Sequence, residues 1–314
     1  MTIDNQVYDT IIIGGGVTGF GAAMYAGRFT MKTLVIGESI GGTIILTDVV
    51  ENYPGFKKLT GMELANNIAD HAKEYGIDVE NDRAVSAKKK GKLFEVTVSA
   101  GKIFRGKTII IATGTHWKKL GVPGEEKYAN KGVHYCALCD GAFYRNKVIG
   151  VVGGGDSAIK EALLLTTFGS KVYVFARGEK IKPEPVNELK LNKNNKATVF
   201  TKVNVKEILG DDKKMNKVLL DREINGSKEF PLDALFVEIG HLPLSQLAVE
   251  LGVKVNAKGE IPINRLSETN IPGVFAAGDV VDTKFKQAIT GVAEGVTAAY
   301  SAYEYLQNAE HAKS

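Results

Sequence analysis

The chain carries the same strand, glycine turn and helix pattern twice, which restricts the folds open to it more than any other feature. Tyr8–Ile13 is a short β-branched run ending in Gly14-Gly15-Gly16-Val17-Thr18-Gly19, and Gly21–Arg28 continues with Ala and Met at helical spacing. Lys147–Val152 ends likewise in Gly153-Gly154-Gly155-Asp156-Ser157-Ala158, followed by a helical stretch, Ala158–Phe168, and a strand, Lys171–Phe175. In each copy the first two motif glycines (Gly14 and Gly16; Gly153 and Gly155) permit a tight turn and close approach of a pyrophosphate. The third position, Gly19 or its accepted substitute Ala158, lets the helix pack on the strand. The pyrophosphate then rests on a helix N-terminus, where free N–H groups and the dipole favour negative charge; Asp156 and Ser157 open the second of these helices. After the first turn, the strand Thr33–Ile36 ends near Glu38, the acid expected to hold a ribose hydroxyl. The second copy has Ala176-Arg177 at that place, and an arginine suits a ribose 2′-phosphate. The pattern predicts an α/β chain with two Rossmann-like dinucleotide-binding domains.

Two dinucleotide sites in one chain imply electron transfer between them, which selects a flavin and a nicotinamide. Lys107–Gly114 reads as a buried strand ending in small residues, Thr113 and Gly114, that can run close to a cofactor. Ile271–Asp279 is again a strand feeding a turn, Gly278-Asp279, whose Asp279 is placed to accept hydrogen bonds from a ribityl hydroxyl. A chain of 314 residues also exceeds one ordinary core, which favours two domains.

Composition removes other classes. No apolar run approaches the roughly 18 residues needed to span a bilayer, so no membrane role is expected. Met1–Thr10 carries Asp4 and Asp9 and lacks the basic start of a signal peptide, which predicts a cytoplasmic protein. A dispersed net charge of +4 argues against nucleic acid. Residues 177–228 hold thirteen Lys and Arg against eight Asp and Glu, either a solvated lysine-rich surface or a face for an acidic partner or a phosphorylated cofactor. The only two cysteines lie in Cys136-Ala137-Leu138-Cys139. A structural disulfide that short closes almost no loop, and a structural zinc needs four ligands where His134 is the only nearby histidine. In a cytoplasmic chain such a pair reads as redox-active rather than structural.

With Ala112-Thr113-Gly114, Gly278-Asp279, Glu51-Asn52-Tyr53-Pro54-Gly55 and Cys136-Ala137-Leu138-Cys139-Asp140-Gly141 in this order, the chain resembles the low-molecular-weight thioredoxin reductases from end to end. The cysteines directly precede the second glycine turn, which places them in the nicotinamide half. The resemblance implies an FAD domain built from residues 1 to about 115 and about 246 to 314. The NAD(P)H domain, residues 116–245, is inserted between them, with hinges near Gly114–Lys118 and Gly240–Leu244. It implies FAD held by Gly14, Gly16, Gly19, Glu38, Gly42, Asn52, Thr113, Gly114, Gly278, Asp279, Gln287 and Ala288. The nicotinamide nucleotide falls to Gly153, Gly155, Asp156, Ser157, Arg177 and Lys182. The final helix, Gln287–Tyr305, is expected to close over the flavin and contribute to a homodimer.

The resemblance further implies that reduced nicotinamide reduces the flavin and the flavin reduces the Cys136–Cys139 disulfide. Cys139 then faces the flavin, and an accessible Cys136 attacks the disulfide of thioredoxin or a thioredoxin-like protein while the nicotinamide domain rotates between two states. Asp140 resembles the family's general acid, its alternative being a helix N-cap or turn aspartate. His241 reads as a hinge or packing residue; Phe143 and Tyr144 read either as a docking surface or as core. The chain departs from its relatives at Gly41-Gly42-Thr43, where many have glutamine in third place. It departs again at Ala176, Arg177, Gly178 and Lys182, where NADPH users show His-Arg-Arg and a further Arg. Lysine lacks the bidentate phosphate contact, so NADPH use with a weakened preference over NADH is expected. Two other readings are a same-fold reductase serving a glutaredoxin-like or peroxiredoxin partner, or fed by NADH, ferredoxin or another donor, and a flavin-binding protein without turnover.

Overall fold

The computed structural model of the chain describes residues 2–47 and 49–311. It divides into two compact units, Met1–His116 with Leu242–Ser314, and Trp117–His241. In the first unit the strand Thr2–Ile13 lies between Thr33–Ile36 and Lys102–Ile111, parallel to both. Asp78–Glu80 extends the sheet beyond Thr33–Ile36, and Val274–Ala276 adds parallel to the tip of Lys102–Ile111. The expected strand at 107–114 therefore starts earlier and stops sooner. It pairs with the first strand from end to end, its first half pairs antiparallel with the hairpin strand Leu93–Val98 on the other side and its second half with Val274–Ala276, leaving Ala112–Gly114 beyond the sheet.

The unbroken isoleucine runs follow from burial on both faces. Ile11, Ile13, Ile109 and Ile111 enter one core with Phe94 and Phe104, while Ile12 and Ile110 enter a second with Ala22, Ala23 and Ala26 of the helix Val17–Arg28. Each such side chain removed from water contributes about 1.5–3 kcal/mol. The closing helix, Ala288–His311, brings Ala298, Ala299 and Ala302 to the second core, and only side chains this small let it lie against Val17–Arg28.

The second unit repeats the plan. Its sheet runs Ala197–Thr201, Lys171–Ala176, Val148–Val152, Ala234–Val237, Val133–His134, all parallel. The helix Asp156–Leu165 packs Ala158, Ile159, Ala162 and Leu165 on one face. A three-stranded meander, Val205–Gly210, Met215–Ile224 and Ser227–Pro231, shares the opposite core with Phe175 and Val237. At the chain crossings, where hinges are expected, Thr115–Trp117 and His241–Pro243 pair as a two-stranded sheet. Hydrogen bonds from Lys118 N to Gly240 O (2.9 Å) and from Leu244 N to Gly114 O (3.0 Å) flank that pair. No helix among the described residues is long and apolar enough to cross a membrane.

Candidate active site

In the first unit the parallel strands end at Ile13, Ile36, Ile111 and Ala276, so the turns that follow them gather at one sheet edge, where open α/β sheets bind ligands. Gly14 sits there at φ +131°, and a Cβ on it would overlap the Ala112 carbonyl oxygen. That close approach sets the Ala112–Gly114 tip against the glycine turn. Gly16 is the N-cap of Val17–Arg28 and supplies no side chain to its first-turn amides, while Gly19 lies one turn in. Gly41 N–H donates to Gly15 O at 2.7 Å, which brings Gly41 and Gly42 beside the same turn. Glu38 is exposed just past its strand. The Asn52 amide donates to Gln287 Oε1 at 3.0 Å, joining two expected flavin residues 235 positions apart, and Ala288 begins the closing helix. Gly278 N–H donates to Glu294 Oε2 at 2.9 Å; Asp279 follows in the short 3₁₀ turn Gly278–Val280. The Thr113 hydroxyl donates to Leu244 O at 2.7 Å, so it ties the returning chain. Uncapped amides, glycines in close approach and an acid after the second strand fit the pyrophosphate and ribose of a dinucleotide.

The second unit holds a matching cradle. Gly153 at φ +150° would place a Cβ on the Glu238 carbonyl oxygen, as Gly14 does with Ala112. Gly155 is the N-cap of Asp156–Leu165, again without a side-chain cap, and a Cβ there would meet nothing within 4 Å. Ser157 is exposed on the first turn. Asp156 turns its Oδ1 to Glu184 N–H (2.7 Å) and Asn187 Nδ2 (2.8 Å), anchoring the loop that follows Lys171–Ala176. Lys182 N–H donates to Gly154 O at 2.7 Å, so the loop returns to the turn with Arg177 and Lys182 exposed. Sequence reasoning missed Lys202. Parallel pairing of Ala176 with Thr201 sets it next to Arg177, where its Nζ lies 2.7 Å from Glu179, and only strand register reveals that neighbour.

Cys136 and Cys139 form a disulfide with Cα atoms 5.4 Å apart. Cys136 is the N-cap of the short helix Ala137–Asp140, its Sγ accepting Cys139 N–H at 3.1 Å, and Ala137 is packed into the core. Cys136 is only 8% exposed whereas Cys139 is exposed, which corrects the expectation of an accessible Cys136 for the state seen here. The cause is its place on the inner side of the turn, directly after the buried strand Val133–His134. Phe143 is 78% exposed, while the Tyr144 ring packs edge-on against Phe236, which separates two aromatics the sequence left together.

Asp140 provides no side-chain cap to the 3₁₀ turn Gly141–Tyr144, which removes the N-cap reading. Its Oδ2 instead lies 2.9 Å from His134 Nδ1, close but off the best hydrogen-bond line. His134 Nε2 is 2.8 Å from the Tyr144 hydroxyl, and the ring stacks on Phe236. Burial holds the imidazole pKa below its ordinary value against the opposing pull of Asp140. Glu161 Oε2 accepts Ala137 N–H at 2.6 Å, and burial raises its pKa. Glu238, at the end of Ala234–Val237, is pushed up to about 9 by burial and by the charge of Glu161. Sequence reasoning assigned neither carboxyl.

Burial thus favours the neutral form of both carboxyls, and of Glu238 most. Unfolding releases Glu238 to its ordinary value of 4.5, so the folded unit binds the extra proton between pH 4.5 and about 9 and its stability falls as pH rises through that window. Glu238→Gln is expected to flatten this slope and to raise stability at pH 8 by on the order of 2 kcal/mol. Calorimetric melting of both proteins from pH 5 to 9 checks it, and an unchanged slope would remove Glu238 as its source.

The family described as pyridine nucleotide-disulphide oxidoreductase matches residues 8–295. The chain is 39% identical over 306 residues to the thioredoxin reductase of Bacillus subtilis, covering 97% of this chain and 96% of that one. It superposes on the crystal structure of Lactococcus lactis thioredoxin reductase with a TM-score of 0.92 at 37% identity, over 96% of this chain and 99% of that one. Thioredoxin reductase from T. acidophilum gives 0.89 at 33% identity with the same coverage.

Proposed function

The chain belongs to the pyridine nucleotide-disulphide oxidoreductase family, in its low-molecular-weight thioredoxin reductase branch, and from that premise we propose that it passes electrons from NADPH through FAD and the Cys136–Cys139 pair to thioredoxin or a thioredoxin-like protein. The observation that carries this reading is the disulfide itself, held at a helix N-cap with Asp140 beside it, in the unit that also holds the second dinucleotide cradle. When bound, FAD would supply two-electron redox chemistry between a nicotinamide and a disulfide. Gly14, Gly16, Gly19, Glu38, Gly42, Asn52, Gly278 and Asp279 would bind and orient it, with Thr113, Gly114, Gln287 and Ala288 around them. Gly153, Gly155, Asp156, Ser157, Arg177 and Lys182 would hold the nicotinamide nucleotide. The first unit is then the FAD domain and the second the nicotinamide domain, and the exposed Phe143 is a contact for the protein partner. A homodimer belongs to the same proposal. Denaturation and chromatography of the released flavin test the cofactor: noncovalent FAD is expected, and recovery of FMN or of no flavin would sink the assignment.

Arg177 is the one plain cationic match for a 2′-phosphate, with Lys180 and Lys182 flexible neighbours beside Glu179. A charge-assisted contact contributes about 1.5–3 kcal/mol, so a missing one lowers discrimination roughly tenfold or more. NADPH is expected to be used with a modest preference over NADH, most of which Arg177→Ala removes. Comparison of kcat/KM for both nucleotides checks this; a strong preference untouched by the substitution would place the phosphate elsewhere, and no reduction by either would point to another donor.

A further inference from the structure

Behind Asp140 lies a buried chain of polar groups that the proposed function leaves unused. His134 is 5% exposed, with Nδ1 2.9 Å from Asp140 Oδ2 and Nε2 2.8 Å from the Tyr144 hydroxyl. Tyr144 is only partly buried. Among the described residues, the polar and ring partners of the imidazole come from three elements. The short helix Ala137–Asp140 brings Asp140, the turn Gly141–Tyr144 brings Tyr144, and the strand Ala234–Val237 brings only the uncharged Phe236. Beyond them, Asp233 acts on the Tyr144 phenol and Glu161 is engaged by Ala137 N–H. No cation faces the ring from these elements.

We infer that His134 and Tyr144 form a proton relay that reaches Asp140 from solvent, which makes His134 a positioning and proton-passing residue of the disulfide chemistry. The inference rests on the proposed function. Two electrons, supplied by the reduced flavin of that reading, break the Cys136–Cys139 bond and leave two thiolate equivalents. One takes a proton by way of Asp140, which is a carboxylate before and after. The Nδ1–H of neutral His134 passes to Asp140 and on to the sulfur while the Tyr144 hydroxyl proton passes to Nε2, and Tyr144 takes a proton from solvent. One proton has moved inward, and the imidazole is neutral before and after with its hydrogen shifted from Nδ1 to Nε2. Turning the Tyr144 O–H and exchanging tautomers resets the chain. Burial, which disfavours an imidazolium, and a phenol held above its ordinary pKa by burial, Asp140 and Asp233 both suit a relay that never stores charge.

The test uses the full-length flavin-containing protein with ¹⁵N-labelled histidine, the His134 signals being assigned by their loss in His134→Gln. A neutral His134 at pH 7 is expected, with its Nε2 resonance moving in Tyr144→Phe and its Nδ1 resonance moving in Asp140→Asn. In turnover with thioredoxin at pH 8, His134→Gln and Tyr144→Phe are each expected to slow the reaction on the order of tenfold, with recovery as imidazole buffer is added. A misfolded site would not recover with buffer. An imidazolium at pH 7, resonances unmoved by both substitutions, or turnover of both variants equal to wild type would overturn the relay. Wild-type protein that reduces no protein disulfide would instead overturn the proposed function, and the resonances would still report whether the chain of groups exists.

Discussion

Cys136→Ser and Cys139→Ser are each expected to lower thioredoxin reduction by on the order of 10³-fold or more, because exchange proceeds through a thiolate and a mixed disulfide that a hydroxyl cannot form. Flavin reduction by the nicotinamide precedes the thiol step and is expected to survive in both. The two variants should differ in colour. Cys136→Ser leaves Cys139 as the sulfur the family resemblance turns toward the flavin, so a long-wavelength charge-transfer band is expected in it and not in Cys139→Ser. In the disulfide, Cys136 Sγ accepts the Cys139 amide at the N-cap. Its 8% exposure requires that the turn be uncovered when that partner docks. Absorbance spectra of the two purified variants with stopped-flow mixing decide the matter, and a band confined to Cys139→Ser would reverse the assignment.

Gly14→Ala is expected to be nearly as damaging, through the scaffold rather than the chemistry. At φ +131° an L-residue is strained by itself, and the added Cβ would overlap a backbone carbonyl, that of Ala112, which cannot rotate away. Relief would push the glycine turn off the strand tip and open the flavin cradle, at a cost on the order of 3 kcal/mol or more. Purified Gly14→Ala should carry little flavin and melt earlier in the first unit. Gly155→Ala supplies the contrast, since a Cβ there meets nothing within 4 Å and the fold should tolerate it. Flavin content of Gly14→Ala equal to wild type would show that the turn relaxes without loss.

The doubled strand, glycine turn and helix was legible in the sequence because local chemistry imposes it: β-branched runs buried on both faces, turns only glycine can make, helices opened by uncapped amides. The Cys136–Cys139 pair was legible for the same reason, two cysteines three residues apart in a chain with no other cysteine. Nothing local places His134 against Asp140, Glu238 near Glu161 or Lys202 beside Arg177. These meetings depend on which strands neighbour one another. Val133–His134 lies beside Ala234–Val237, and that strand lies beside Val148–Val152, so residues a hundred positions apart enclose one turn. The N-cap reading of Asp140 failed on the same ground, because a carboxylate takes whichever partner the packed chain presents. Sequence alone thus determined the two strand, glycine turn and helix units and the cysteine pair. Tertiary structure decided which groups surround them, because desolvation and hydrogen bonding are set by neighbours in space rather than in the chain.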